Sequence, residues 1–596
     1  MEGESIPSLL HETTECSDLS CRFSIFSGPP PSAALVSAER AAIVRELATF
    51  AQKTIDLKMR LNALTPIGRL PHEILAKILV SAVHDFHYPK AYSYETRRPQ
   101  WIKLAHVCRR WREVALETSR FWRYLRVTRT EVVSELLARS KNTPLDVDLC
   151  LHDHATQTVV VLAQQLHRIH KLRLTAPMKV IQTLLQAAND TGSSLALQDV
   201  ELSNAEYAGS DRPTPFYGQP LPLPPPLIQS SGLVQQLRHL VLKRLRFAWS
   251  DAIFCPSLTS LTVSGRFFRN EYHPTIPNLG TFQQFWSTLE GLAPRLEVLD
   301  LEEAVPRHVH PANTDPSLPR PLVFPRLRSL KYTGNMLECS VVFCALQLNP
   351  GTIVDVNVWE GTGMQPLIKA LATHAGRRRP LRSLSIVQDY SSGLTLRGWR
   401  SFDTSATPDW QFHLRGSSTR TNILLTIVKD SYSLFTRLEM VLIKGALFDF
   451  SSDRPWASLL RSLHRVRVLD VADHPFDDLY KAFLTLSVIG TGAQARSYVP
   501  LPSLRMLTLR DCRFRSPNDF LEVEPFDRLV EWAMLRCHYS IPIDRLHLYA
   551  CRHVQEEDID TLEEIIPYVV WDGWERPTSP EPDEYDSSDD SMYGFY

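Results

Sequence analysis

The chain has 596 residues, more than one hydrophobic core usually serves, so two or more folding units or an elongated repeat array is expected. A hydrophobic content of 44% is ordinary for a folded chain; the formal net charge of −1 is unevenly spread, and the mildly basic body left outside the acidic tail reads as a solvated surface rather than a nucleic-acid footprint. The ten cysteines stand singly with no CxxC pair, the start "MEGESIPSLL" lacks a secretion signal, and no run is long enough to cross a bilayer, a pattern that fits a reducing interior better than a disulfide framework, so cytoplasm or nucleus with no membrane partner is expected.

Residues 1–33 are rich in Ser, Glu, Thr and Pro and read as disordered. An amphipathic helix is expected over 34–64, a stretch free of Pro and Gly with Ile43, Leu47, Phe50 and Ile55 near helical period and Leu57, Leu61 and Leu64 beyond. Ser37 is its N-cap candidate, with Arg40 where a capping box would place Glu. Packing on the segment that follows is the plain expectation for this helix, and a dimerising coiled coil the sharper one.

The stretch "LPHEILAKILVSA" (70–82) predicts a helix opened by Pro71, whose missing N–H has no partner at that position anyway. Ile74, Leu75, Ile78, Leu79 and Ala82 share one face. An insert rich in Tyr, Pro and Arg from His84 to Gln100 separates it from "LAHVCRRWREVALETSRFWRYL", where Leu104, Ala105, Val107, Cys108, Trp111, Val114 and Ala115 form a second apolar stripe. Two short helices cannot hide that much apolar surface on each other alone, so part of it must meet other segments or a partner.

The Leu-Pro start, the Glu, the Val-Cys-Arg-Arg-Trp run and the distal Trp122 resemble an F-box over residues 65–127, and the preceding helix and the insert resemble F-box-like proteins of mushroom-forming fungi. The resemblance implies a small all-helical module that docks on an adaptor of the Skp family and through it on a cullin. It also implies that Leu70, Pro71, Ile74, Leu75, Ile78 and Leu79 contribute to the adaptor interface. Val107, Cys108, Trp111 and Trp122 then hold the helices together or touch the adaptor, with Cys108 read as a core thiol on an apolar helix face.

Residues 128–570 read as repeats. After a helical segment over 128–141 and an alternating strand "PLDVDLCL", an L-x-x-L-x-L pattern starts at Ile169, Leu197, Leu237, Leu258, Leu296, Leu327, Ile353, Leu381, Leu438, Val466, Leu504 and Ile543. The starts are 21 to 57 residues apart, so the array is irregular and carries insertions; the widest gap leaves room for a further unit around "NILLTIV". The fold class expected is therefore α/β, a small helical F-box followed by an irregular leucine-rich-repeat solenoid shaped as a horseshoe. Asn335, Cys512 and Cys551 occupy the polar position that closes three of the units.

In that solenoid the leucines point to the core and the alternate residues to the concave side. His239, Val241 and Lys243, then Val298, Asp300 and Glu302, then Met506, Thr508 and Arg510 are the target-contact candidates, with Trp359 as an aromatic anchor. "GQPLPLPPPLIQS" (218–230) favours polyproline II and reads as a loop between repeats. The tail 571–596 is acidic and Ser-rich, and reads as disordered.

No catalytic motif emerges. The pairs His152/His154 and His308/His310 lack further ligands to complete a tetrahedral zinc site, and "GTGMQP" and "GTGAQA" lack the strand-to-helix grammar of a phosphate loop. The expectation is a non-catalytic substrate-recognition subunit of an SCF-type ubiquitin ligase with no metal or cofactor, whose protein target is unspecified. A scaffold that does not act through a cullin is the alternative.

Overall fold

The computed structural model describes residues 32–87, 100–126, 129–151, 156–191, 195–205, 227–229, 231–265, 280–306, 320–359, 364–376, 380–389, 393–415, 437–445, 459–460, 462–473, 476, 479–480, 483, 487–489, 496–512, 514, 525–552 and 554–573. The N-terminal segment, the tail beyond 573, both His pairs, "GTGAQA", "NILLTIV" and most of the 84–100 and 218–230 stretches lie outside the described residues. Two compact units divide the chain, one of residues 1–123 with 138–141, the other of residues 124–137 with 142–596.

The first unit is helical. Helix α1 (Ala33–Leu64) begins after Ser32 rather than at the expected Ser37 cap, and none of its residues is buried. A 3₁₀ turn (Ile67–Arg69) leads into α2 (His72–His87), with the Pro71 carbonyl accepting the Leu75 N–H at 3.1 Å. The stripe expected to form one helix from Leu104 to Ala115 is instead broken in two. A 3₁₀ helix over Gln100–His106 stops, Val107 and Cys108 intervene, and α3 (Arg109–Glu117) starts afresh. Cys108 thus sits in extended backbone (φ −154°) as the residue before α3, half-exposed, and not on an apolar helix face. The break follows from what the two halves bury: Trp101 and Ala105 turn inward from the first, Val114 and Ala115 from the second.

The second unit, which opens with most of α4 (Thr130–Ser140), is built on a 17-stranded sheet. Its strands are β1 (Tyr124–Leu125), β2 (Leu145–Cys150), β3 (Ile169–Ala176), β4 (Asp199–Asn204), β5 (His239–Lys243), β6 (Ser260–Ser264), β7 (Val298–Glu302), β8 (Ser329–Asn335) and β9 (Ile353–Trp359). They continue as β10 (Ser383–Asp389), β11 (Gly393–Trp399), β12 (Trp410–Arg415), β13 (Met440–Lys444), β14 (Val468–Ala472), β15 (Met506–Arg510), β16 (Arg545–Tyr549) and β17 (Tyr568–Trp571). From β1 to β9 each strand pairs parallel with the next in sequence, and the same holds from β13 to β17.

Each start of the L-x-x-L-x-L pattern leads into one of these strands, because apolar residues at alternate positions let a strand bury one face against a shared core. Registers are aligned, so that Leu240, Leu261, Leu299, Leu330 and Val354 form one buried row across five neighbours. Helices fill the crossovers: α5 (Thr156–Ala163), α6 (Met178–Thr191), α7 (Phe282–Leu292), α8 (Met336–Ala345), α9 (Met364–Gly376), α10 (Pro525–His538) and α11 (Glu556–Glu563). Helix α6 packs on β3 and β4 with Ile181, Leu184 and Ala188 inside. On α10, Arg536 is wholly buried, donates to the carbonyls of Pro500, Leu501 and Leu504 at 3.2–3.3 Å, and has its pKa brought down to about 10 by burial.

Two features interrupt or punctuate the ladder. Between β9 and β13 the chain folds as an antiparallel meander, β10–β11–β12, so that β12 rather than β10 lies beside β9 while β10 hands the parallel order on to β13. Gly393 allows the tight return; its φ is +95°, and a Cβ there would stand 2.1 Å from the Leu414 carbonyl. Left-handed backbone also recurs at the residue after a strand: Arg244, Glu303, Gly445, Asp473, Asp511 and Ala550 all have positive φ. A corner of one geometry therefore turns the chain off the sheet in unit after unit. Cys512 and Cys551, just beyond two of these corners, are buried with their thiols directed at the carbonyls of Val471 and Leu509.

Candidate protein-docking surfaces

In the helical unit, spacing sorts the apolar residues of α2 into two rows. Leu75, Leu79 and Val83 are completely buried at successive i, i+4 positions, whereas Ile74 and Ile78 remain 40% and 39% exposed. Behind the buried row stand Trp101, Phe121 and Trp122, each buried and each packed edge-on to the other two with centroids 5.0–5.6 Å apart. Trp122 Nε1 donates to the Ala115 carbonyl at 2.7 Å, and the Arg139 guanidinium lies 4.6 Å over its ring. Aromatic contacts of this geometry, with the Trp122 indole N–H satisfied, make a rigid core rather than a docking patch.

The second arginine of "VCRRW", Arg110, and Arg112 just beyond it acquire roles that the sequence did not disclose. Arg110 donates through its two terminal nitrogens to the carbonyls of Gly68 and Leu70, tying the turn before α2 to α3. Arg112 bonds the Ala105 carbonyl at 3.1 Å and bridges the break between the 3₁₀ helix and α3. Gly68 is required beneath this tie, since a Cβ would stand 2.0 Å from the Asn62 carbonyl. Trp101, absent from the residues singled out in sequence, completes the aromatic core; its signal is the Trp ten residues before Trp111.

Of the ten positions named for adaptor contact, Leu75, Leu79 and Trp122 are interior. Leu70, Cys108 and Trp111 are half-buried; Pro71, Ile74, Ile78 and Val107 are exposed, Val107 at 61%. Ile67 and Leu116 are exposed as well. What this set can do chemically is bury aliphatic surface against a partner.

The second unit offers the uncovered face of its sheet, where the residues between the inward leucines align in rows. One row runs Arg173, Glu201, Val241, Thr262, Asp300, Lys331, Asp355, and its neighbour runs Lys243, Ser264, Glu302, Thr333, Asn357. Toward β2 the charges are matched: Arg126 meets Asp148 at 2.7 Å, while Arg173 and Lys243 both reach Glu201 at 2.7 Å. Burial pushes the Glu201 carboxyl up, but the Lys243 hydrogen bond and charge, joined by Arg173, outweigh it and leave its pKa below the ordinary value. Toward the middle the balance reverses: burial raises Asp300 and Asp355, with Lys331 only partly opposing.

The candidate target contacts separate accordingly. His239 is exposed, and Val241, Lys243, Val298, Asp300, Glu302, Trp359 and Met506 are half-exposed. Arg510 is exposed, grips Asp470 at 3.1 Å and lies 4.7 Å over the Tyr549 ring. Thr508, at 2% exposure between its register partners Asp470 and His547, is covered and offers nothing to a partner. A depression of about 570 Å³ at the strand starts is lined by Gln198, Arg238, Thr259, Arg295 and Arg326 among others, with no carboxylate, thiol or imidazole. Among the described residues no three His, Cys, Asp or Glu side chains come together to hold a metal, and no helix is long and apolar enough to cross a membrane.

The helical module thus combines an interlocked aromatic core with an uncovered aliphatic row. Residues 67–128 match the F-box-like family, so the chain carries an F-box-like domain, joined to a mixed α/β unit with a long, mostly parallel sheet. No curated protein matches the chain.

Proposed function

We propose that this protein is a substrate-recognition subunit of an SCF-type ubiquitin ligase. The observation that carries the reading is the F-box-like domain with Pro71, Ile74, Ile78 and Val107 left uncovered over a sealed core of Leu75, Leu79, Trp101, Phe121 and Trp122. These four, with Leu70 and Trp111 at the margin, form the contact for a Skp-family adaptor; Leu75, Leu79 and Trp122 hold them in place.

The sheet unit captures a protein target through its exposed face, where Asp300, Glu302, Lys331 and Asp355 are the charged candidates and Trp359 the aromatic one. The aligned strands and the recurring corner support a leucine-rich-repeat reading of this unit. The subunit is itself non-catalytic: it acts by holding a target lysine near a charged conjugating enzyme, supplying effective concentration rather than acid–base chemistry. Cytoplasm or nucleus is the compartment in which such a ligase works.

Co-purification of the full chain with a Skp-family adaptor and a cullin tests this. Capture of both, loss of both in the variant Leu70→Ala with Pro71→Ala, and a captured target whose lifetime lengthens when the protein is depleted are the expected results. Adaptor without cullin, and targets indifferent to depletion, would instead establish a cullin-independent scaffold.

A further inference from the structure

Helix α1 runs 32 residues without burying one of them, although it carries Val36, Ile43, Leu47, Phe50, Leu57, Leu61 and Leu64. Those residues are 49–67% exposed, a long apolar surface to leave in water. Their spacing is that of a heptad. Taking Ala33, Arg40, Leu47, Thr54 and Leu61 as one core position places Val36, Ile43, Phe50, Leu57 and Leu64 at the other, so eight of the ten seam positions are apolar. A helix of this length spans about 48 Å, enough for four heptads against a partner of equal length.

The charges beside the seam identify that partner. The flanking positions that precede the first core position are Glu39, Glu46, Lys53 and Arg60, two acidic residues followed by two basic ones. A helix with this order is complementary to its own reverse. Antiparallel pairing of two copies brings Glu39 opposite Arg60 and Glu46 opposite Lys53, each pair twice. The same alignment sets Leu47 against Phe50 at the centre, Leu61 against Val36, Leu64 against Ala33, and the two polar seam residues, Arg40 and Thr54, against Leu57 and Ile43. A parallel pair would bring Arg40 onto Arg40 inside the seam and Lys53 beside Lys58, both repulsive.

We propose that α1 associates with α1 of a second copy of this chain as an antiparallel coiled coil, making the protein a dimer. The pairing is independent of adaptor docking and stands or fails without it. Sedimentation of the full chain in the micromolar range should give twice the monomer mass. Leu47→Asp should yield monomers.

Charge exchange then tests the orientation. Glu39→Lys with Glu46→Lys makes the flank wholly basic, and Lys53→Glu with Arg60→Glu makes it wholly acidic. At about twofold in affinity for each exposed ion pair, losing four raises Kd roughly tenfold to thirtyfold, and repulsion adds to that. Either variant alone should therefore dissociate, while an equimolar mixture of the two should regain the dimer mass as a heterodimer. Because α1 buries nothing within its own chain, melting of the rest of the chain should be unchanged in all three variants while any α1 transition stabilised by pairing is lost, which separates lost pairing from lost folding. A chain that is monomeric throughout, or a dimer untouched by Leu47→Asp, overturns the pairing through α1. A dimer that both charge variants keep, or that their mixture fails to restore, overturns the antiparallel register.

Discussion

Truncating the uncovered aliphatic row of the F-box-like domain should weaken adaptor binding without unfolding the domain. Ile74, Ile78 and Val107 are 40%, 39% and 61% exposed, so each has that fraction of its surface left to bury. Complete burial of such a side chain is worth about 1.5–3 kcal/mol, which scales to roughly 0.6–1.2 kcal/mol for each Ile and 0.9–1.8 kcal/mol for Val107. The triple variant Ile74→Ala, Ile78→Ala, Val107→Ala should thus lose about 2–4 kcal/mol of binding, a rise in Kd of roughly thirtyfold to a thousandfold. Isothermal titration of a Skp-family adaptor into the full chain measures this, with thermal unfolding as the control. Leu75→Ala gives the contrast: its side chain is wholly buried, so it should cost about 2–5 kcal/mol of folding stability and affect binding only through that loss. Unchanged affinity in a folded triple variant would refute the assignment of this row as the contact.

Arg110→Met removes two charged hydrogen bonds to the turn before α2 and should destabilise the helical unit by about 2–3 kcal/mol, read by urea unfolding followed through tryptophan fluorescence. Gly445→Ala places a Cβ 2.1 Å from the Gln388 carbonyl at a φ of +92° and should cost about 2 kcal/mol or more in the sheet unit; a calorimetric midpoint equal to wild type would contradict the corner geometry. For Glu201 the folded pKa is depressed, so its contribution is present above the unfolded value near 4.5 and is lost as pH falls through the lower folded one. Glu201→Gln should accordingly be less stable than wild type at neutral pH, and the gap should close in acid. Asp300→Asn should shift stability the opposite way at neutral pH, since burial already disfavours that charge, and a loss on substitution would count against the burial cause.

The sequence by itself determined what depends on local period and composition. Alternating leucines located strands β3 to β10 and β13 to β16, and 3- and 4-residue spacing located α1 and α2, because burial of one face imposes those periods on any chain that folds. Tertiary packing decided the rest. The apolar stripe through Val107 and Cys108 looks continuous in sequence, yet Trp101 and Val114 must both face one aromatic core, and only a break lets them. Strands β11 and β12 lacked the repeat signature because they enter the sheet through an antiparallel return at Gly393, which alone brings β12 into parallel pairing with β9. Which of the greasy residues on α2 face outward was likewise invisible, since Ile74 and Leu75 are equally apolar and differ only in which side of the helix meets the tryptophans. Hydrophobicity is a property of the residue; exposure belongs to the arrangement around it.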